Sequence, residues 1–220
     1  MTRPQRFDLI AFDWDGTLFD STALITRSIQ NAAVDLGLPR PSDTQASYVI
    51  GMGLQAAMAH AVPDLPEARF ADMGERFRHH YLAAQHEVIL FPGVPEMLAD
   101  LQARHHWLAV ATGKSRSGLD EAMRAVGLDQ LFDGSRTADE TRSKPHPQML
   151  LELMREFGAE PERTLMIGDT THDLQLALNA GCASVGVSYG AHDHRSFAEF
   201  QPLHLAHSVA DLQQWLLQHA

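Results

Sequence analysis

The chain has 220 residues, 45% of them hydrophobic and 20% charged, an ordinary globular composition with room for one sizeable core and a smaller insert. Its 17 Lys+Arg against 28 Asp+Glu give a formal net charge of -11, which argues against a nucleic-acid or anionic-membrane surface. A single cysteine, Cys182, excludes an intramolecular disulfide, and no stretch approaches the roughly 20 apolar residues of a membrane span.

Phe7 to Phe12 is an apolar run that predicts a buried strand. It ends in Asp13-Trp14-Asp15-Gly16-Thr17, where Gly16 lets the chain leave sharply. Asp13 and Asp15 are therefore expected at the strand's carboxyl end, facing solvent, where open α/β sheets bind ligands. Two nearby carboxylates repel unless a cation or a proton lies between them. Trp14 and Phe12 read as packing residues. Arg3 and Arg6 precede the run, but Asp8, Asp13 and Asp15 interrupt any signal-peptide core, so a cytoplasmic protein is expected.

From Ser21 to Glu87 no strand pattern occurs. Ile25, Ile29, Ala32, Ala33 and Leu36 mark an amphipathic helix stopped by Gly37 and Pro39, and Phe70, Met73, Phe77 and Tyr81 mark another. Gly51-Met52-Gly53 and Pro63 to Pro66 predict turns. An all-helical insert at this place would hang over the acidic strand end as a lid, hinged near Asp20-Ser21 and Phe91-Pro92-Gly93. The expected division is a discontinuous core of residues 1–20 and 88–220 with a helical cap at 21–87.

Strands and helices alternate after the insert. Trp107 to Ala111, Thr164 to Ile167 and Ala183 to Val187 predict strands, with a weaker one at His204 to Val209. Helical periodicity marks Val94–Leu101, Leu119–Val126, Leu150–Phe157 and Leu174–Gly181. Such alternation predicts an α/β fold with a mostly parallel sheet between helices. The predicted strand ends carry chemistry. Thr112-Gly113-Lys114 offers a hydroxyl and open backbone amides at a helix start, suited to an anion. Lys144 places a cation before the third of these helices. Gly168-Asp169-Thr170-Thr171-His172-Asp173 adds two carboxylates four residues apart. Asp13, Asp15, Asp169 and Asp173 together make an oxygen-ligand site for a hard divalent cation such as Mg2+, with Thr112 and Lys144 beside it to hold a phosphoryl group. Lys114 and Arg116 read as either substrate contacts or surface charge, and His172 as a surface residue at a helix start. The histidine pairs His79-His80 and His105-His106 lack metal-ligand spacing.

In this order the four segments resemble the haloacid dehalogenase superfamily of phosphohydrolases. Asp13-Trp14-Asp15-Gly16-Thr17 is similar to its first motif and Thr112-Gly113 to its second. Lys144 matches the third, and Gly168-Asp169 through Asp173 the fourth. The resemblance spans the whole chain; the cap position and the Phe91-Pro92-Gly93-Val94 return resemble the phosphoglycolate-phosphatase-like branch. It implies a Rossmann-like parallel sheet with an inserted helical cap, and a Mg2+-dependent hydrolase of small phosphate monoesters, with 2-phosphoglycolate the favoured guess. It implies Asp13 as nucleophile, Asp15 as acid and base, and Thr112, Gly113 and Lys144 on the phosphoryl oxygens. The metal would lie at the Asp13 carboxylate, the Asp15 backbone carbonyl and Asp169, supported by Asp173.

Asp15 favours ester hydrolysis over dehalogenation, which needs no acid for its leaving group. No lysine occurs before Gly113, which disfavours the Schiff-base phosphonate-cleaving branch. A pyrophosphatase, a sugar or nucleotide phosphatase and a phosphomutase share these motifs, and a receiver-like phospho-acceptor is the distant alternative. The expected partner is a small phosphorylated metabolite, and the chain a monomer or homodimer.

Overall fold

A computed structural model describes residues 6–220; Arg3 and the first residues of the 1–20 segment lie outside it. Six parallel strands form one sheet: β1 (Leu9–Phe12), β2 (Trp107–Thr112), β3 (Gly134–Thr137), β4 (Thr164–Gly168), β5 (Ala183–Val187) and β6 (Leu205–Ala206). Their order is β3-β2-β1-β4-β5-β6, so β1 is central and the strand order reverses beside it. That reversal opens a crevice at the carboxyl ends of β1 and β4, the usual ligand position in such sheets.

Alternation along each strand divides the core into two layers. Ile10 and Phe12 of β1, Leu108 and Val110 of β2 and Leu165 and Ile167 of β4 face α5 (Val94–Ala103), α6 (Arg116–Ala125) and α9 (Val209–His219). Leu9, Ala11, Ala109, Ala111 and Met166 face the other way, against α7 (Gln148–Phe157) and α8 (Thr171–Ala180). Small alanines on this second face let α7, with buried Met149, Leu150 and Leu153, lie close to the sheet.

Between β1 and α5 lie four α-helices: α1 (Thr22–Asp35), α2 (Asp43–Tyr48), α3 (Leu54–Ala61) and α4 (Phe70–Ala84). They have their own apolar cluster, in which Ile25, Ile29, Ala32 and Ala33 of α1 meet Met58 of α3 and Met73 of α4. The two chain passages joining this unit to the sheet pair with each other. Asp20 N–H donates to Ile89 O at 2.9 Å, and Phe91 N–H to Leu18 O at 3.0 Å.

Several elements escape the sequence patterns, α3 and α9 among them. The edge strand β3 reads Gly-Ser-Arg-Thr, with no apolar run, because its outward side chains bind surface charges rather than a core. Short α2 is set by a Ser42–Gln45 capping box rather than by periodicity. The weak strand expected at His204 to Val209 shrinks to Leu205–Ala206, because Ser208 caps α9 at Val209.

Candidate active site

Asp13 follows β1 directly, and its N–H donates to Ile167 O on β4 at 2.9 Å, which fixes it over the crevice. Gly16 then turns the chain at φ +85°, and a Cβ there would lie 2.2 Å from Asp169 Oδ2, so the position needs glycine twice over. Thr17 Oγ1 donates to Asp169 Oδ1 at 2.7 Å, and Ala191 N–H to Oδ2 at 2.7 Å. Thr170 caps α8 and binds Asp173, whose Oδ2 accepts from Thr170 N–H at 3.0 Å and Thr170 Oγ1 at 2.7 Å.

Lys144, in the loop before α7, reaches into this group with a fully buried side chain. Its Nζ lies 2.7 Å from Asp13 Oδ1 and 2.6 Å from Asp173 Oδ1. The contact with Asp13 is an ion pair off the line of a hydrogen bond, and Asp13 Oδ2 meets no donor among the described residues. Burial works against the Lys144 ammonium, but the Asp13 and Asp173 carboxylates outweigh it and hold its pKa above the ordinary lysine value. Burial first, then the neighbouring Asp173 and Asp15, push Asp13 up to about 7 against the pull of Lys144. Asp169 is raised well above its usual range by burial and by Asp13 and Asp173.

Asp13, Asp169 and Asp173 each offer one oxygen within 4.8 Å of one another. One ammonium among three buried carboxylates leaves negative charge uncompensated, so the all-oxygen donor set fits a hard divalent cation. This triad could hold a divalent metal. The Asp15 carboxylate, grouped with these acids in the sequence, turns away. Its two oxygens each lie 3.1 Å from Lys114 Nζ, and Ser21 Oγ donates to Oδ1 at 2.6 Å. Lys114 also meets Tyr81 of α4, with Nζ 3.3 Å from the phenol oxygen.

Both acids are enclosed rather than open to solvent, because the helical unit covers the sheet edge: Asp13 is 0% exposed and Asp15 7%. The turn at Gly51 to Gly53 forms the roof. A Cβ on Gly113 would lie 2.6 Å from the Gly51 carbonyl carbon, and one on Gly51 would lie 3.8 Å from Asp13 Oδ2. Thr112, buried at the end of β2, and Gly113 thus face the crevice beneath this roof.

His172 is likewise buried, since the start of α8 lies under the helical unit rather than at the surface. Its Nε2 and that of His192 each lie 2.9 Å from the Tyr48 carbonyl at the end of α2. Thr171 N–H donates to His192 Nδ1 at 3.1 Å, so His192 carries its proton on Nε2 and donates it to Tyr48. The Tyr48 ring stacks on His192 at 5.1 Å. Burial holds His172 below its ordinary pKa and pushes His192 down to about 4, so both stay neutral at pH 7. Sequence reasoning missed the roles of Ser21, Tyr48, Tyr81 and His192, and named Thr17 in the first motif without its bond to Asp169. Ser21 was the accessible one, six residues after Asp15; the others come from distant segments.

A model of the haloacid dehalogenase-like hydrolases matches residues 10–187. The chain belongs to that family. A probable phosphatase, IndB, of Dickeya dadantii is 38% identical over 84% of this chain and 82% of its own length. A phosphoglycolate phosphatase of Mannheimia succiniciproducens is 31% identical over 94% and 97%. A 5'-nucleotidase of Pseudomonas aeruginosa is 33% identical over 97% of both chains. The crystal structure of a predicted phosphoglycolate phosphatase from Haemophilus somnus superposes with a TM-score of 0.86 at 31% identity, covering 96% of this chain and 99% of that one. Within this family the parallel sheet and its helical cap are shared with that structure, and this hydrolase carries its acidic cluster at the sheet's carboxyl edge. Among the described residues no helix is long and apolar enough to cross a membrane.

Proposed function

We propose that this hydrolase is a Mg2+-dependent phosphatase of small phosphate monoesters, with 2-phosphoglycolate the favoured substrate, working through an aspartyl phosphate on Asp13. One observation carries the reading. Asp13 is a fully buried carboxylate with an oxygen that no protein donor occupies, set between a lysine and two further carboxylates, with Asp15 two residues on.

Asp13 Oδ2 attacks phosphorus; the new O–P bond forms as the ester P–O bond breaks, and Asp15 delivers a proton to the departing oxygen. Asp15 then takes a proton from water as the water oxygen bonds to phosphorus, the Asp13 O–P bond breaks, and the carboxylate is regenerated with release of inorganic phosphate. Thr112, the Gly113 N–H and Lys144 hold the three equatorial phosphoryl oxygens, where charge lies in the transition state. Mg2+, when bound, supplies charge neutralisation at the phosphoryl group and at the acidic residues. The Asp13 carboxylate, the Asp15 backbone carbonyl and Asp169 would hold it. Asp173 supports from behind, since Lys144 and the start of α8 already engage both its oxygens. Residues 21–87 serve as a lid on a core of 1–20 and 88–220, and the Gly51–Gly53 roof excludes bulk water.

Phosphate release across small esters, pyrophosphate and nucleotides, each with Mg2+ and with chelator, tests this. Turnover of one small ester, lost on chelation, is the expected result. Preference for a nucleoside monophosphate would keep the mechanism and replace the substrate. No release from any would overturn the reading.

A further inference from the structure

The chain has two lysines, and both reach this one site, Lys144 buried and Lys114 with 12% of its side chain exposed. Lys144 has an evident charge to balance. Lys114 is different: it follows the end of β2 just after Gly113, binds both Asp15 oxygens, and is shared with the cap through Tyr81. Its Nζ lies 4.8 Å from the Tyr81 ring centre, so a core cation and a cap phenol meet over Asp15.

The cap arginines are engaged or exposed elsewhere, Arg40 among them, whose guanidinium donates to Gln30 Oε1 at 2.6 Å. Arg27 lies beside Glu87 and Arg69 beside Asp72, both at the surface, and Arg76 and Arg78 are exposed. Arg116 is engaged by Glu140, Asp120 and Ser135 on the outer face of α6. Lys114 is therefore the cation beside the leaving group.

Where that group lies follows from the chemistry. A leaving oxygen protonated by Asp15 must come within roughly 3 Å of its carboxylate. The carbon after that oxygen, and any substituent on it, then falls within reach of the Lys114 ammonium, 3.1 Å from the same carboxylate. The Gly51–Gly53 turn lies close against Gly113 just before Lys114.

We propose that Lys114 and Tyr81 form the leaving-group subsite and select phosphate monoesters that carry a carboxylate on the ester carbon. This rests on the phosphatase reading above and adds the residues that choose the substrate. A buried ammonium is costly without an anionic partner. In the free enzyme Asp15 is that partner. A substrate carboxylate takes over the ammonium and frees the Asp15 oxygen for the leaving group, with the Tyr81 hydroxyl as a second donor. A neutral leaving group offers no exchange, and Lys114 stays on Asp15 where the ester oxygen must approach.

The test compares kcat/KM for 2-phosphoglycolate, its amide (phosphonooxyacetamide) and ethyl phosphate, with Mg2+ present. Wild type should favour the acid over both neutral esters by at least about 10²-fold, as expected when a polar subsite is left unpaired. Lys114→Gln should reduce that ratio to below about 5, chiefly through KM for the acid. Tyr81→Phe should reduce it by about 3- to 10-fold. A wild type that turns over all three esters equally would overturn the subsite and leave the phosphatase reading intact. A Lys114→Gln variant slowed equally on every ester, with the ratio kept, would also overturn it, since Lys114 would then only balance Asp15. Inactivity of wild type on every ester would overturn the phosphatase reading, and the subsite with it.

Discussion

Replacing Lys144 by methionine removes the one cation from among Asp13, Asp169 and Asp173 while keeping most of the side-chain volume. Lys144 is fully buried and lies within 2.7 Å of two carboxylates. Deleting one partner of a buried ion pair costs about 3–5 kcal/mol, because the remaining charge is left without compensation. At about 2.1 cal/mol/K per residue, a loss near 4 kcal/mol lowers Tm by roughly 9 °C for a chain of this size. Thermal unfolding of both proteins at pH 8 in chelator measures it. Two features separate this from simple loss of packing. The raised pKa of Lys144 keeps its ammonium charged through neutral pH and into acid, so below pH 8 only protonation of its carboxylate partners weakens the pairing. Asp13 is pushed up to about 7, and its protonation at pH 5 should shrink the deficit to less than half. Millimolar Mg2+ should likewise stabilise the variant more than wild type. A deficit under 2 °C at pH 8, or one unchanged at pH 5, would refute the picture of an uncompensated acidic cluster.

Asp13→Asn should abolish turnover, since an amide cannot form the acyl phosphate; near-normal phosphate release from it would remove the covalent mechanism. Asp15→Asn should slow release by roughly 10²- to 10⁴-fold, the usual worth of a positioned acid–base group, and rapid quench should show which half-reaction is held up. Gly113→Ala should place a Cβ 2.6 Å from the Gly51 carbonyl atoms, lift the roof by about 0.8 Å, and cost about 10- to 100-fold in kcat/KM with little change in Tm; activity within twofold of wild type would show that the roof's position is unimportant. The cation-free protein should lose stability as pH rises toward and through 7. Asp13 is protonated up to about 7 when folded but only to about 4 when unfolded, so its contribution is complete below pH 4 and gone above 7. Saturating Mg2+ should flatten that slope between pH 5 and 8, and a Tm that rises with pH in chelator would contradict it.

Much of the fold could be read from local pattern. β1, β2 and β4 are almost wholly apolar runs because both faces of a central parallel strand are covered, and such runs are visible in any window. Edge strand β3 was not, since an edge strand need not be apolar on both faces; its Arg136 binds Glu152 and Glu156 at the surface instead. The short α2 depends on a cap rather than a stripe, and periodicity has no hold on six residues.

At the site, the sequence by itself determined which residue types follow each central strand: Asp13 and Asp15 after β1, Thr112 and Gly113 at β2, Asp169 and Asp173 after β4, and Lys144 before α7. A parallel sheet brings all strand ends to one edge, so the acids and the lysine could be grouped before any coordinate was known. Only the tertiary structure decided how they divide. It turned Asp15 toward Lys114 and Ser21 and left Asp13, Asp169 and Asp173 around Lys144. It buried His172 and His192 on the Tyr48 carbonyl, and brought Tyr81 of the cap to Lys114 of the core. The physical reason is distance along the chain. Strand ends are marked by apolar runs legible in a short window and set along one edge by parallel pairing, whereas the seam between cap and core is made by side chains from segments that share no local pattern.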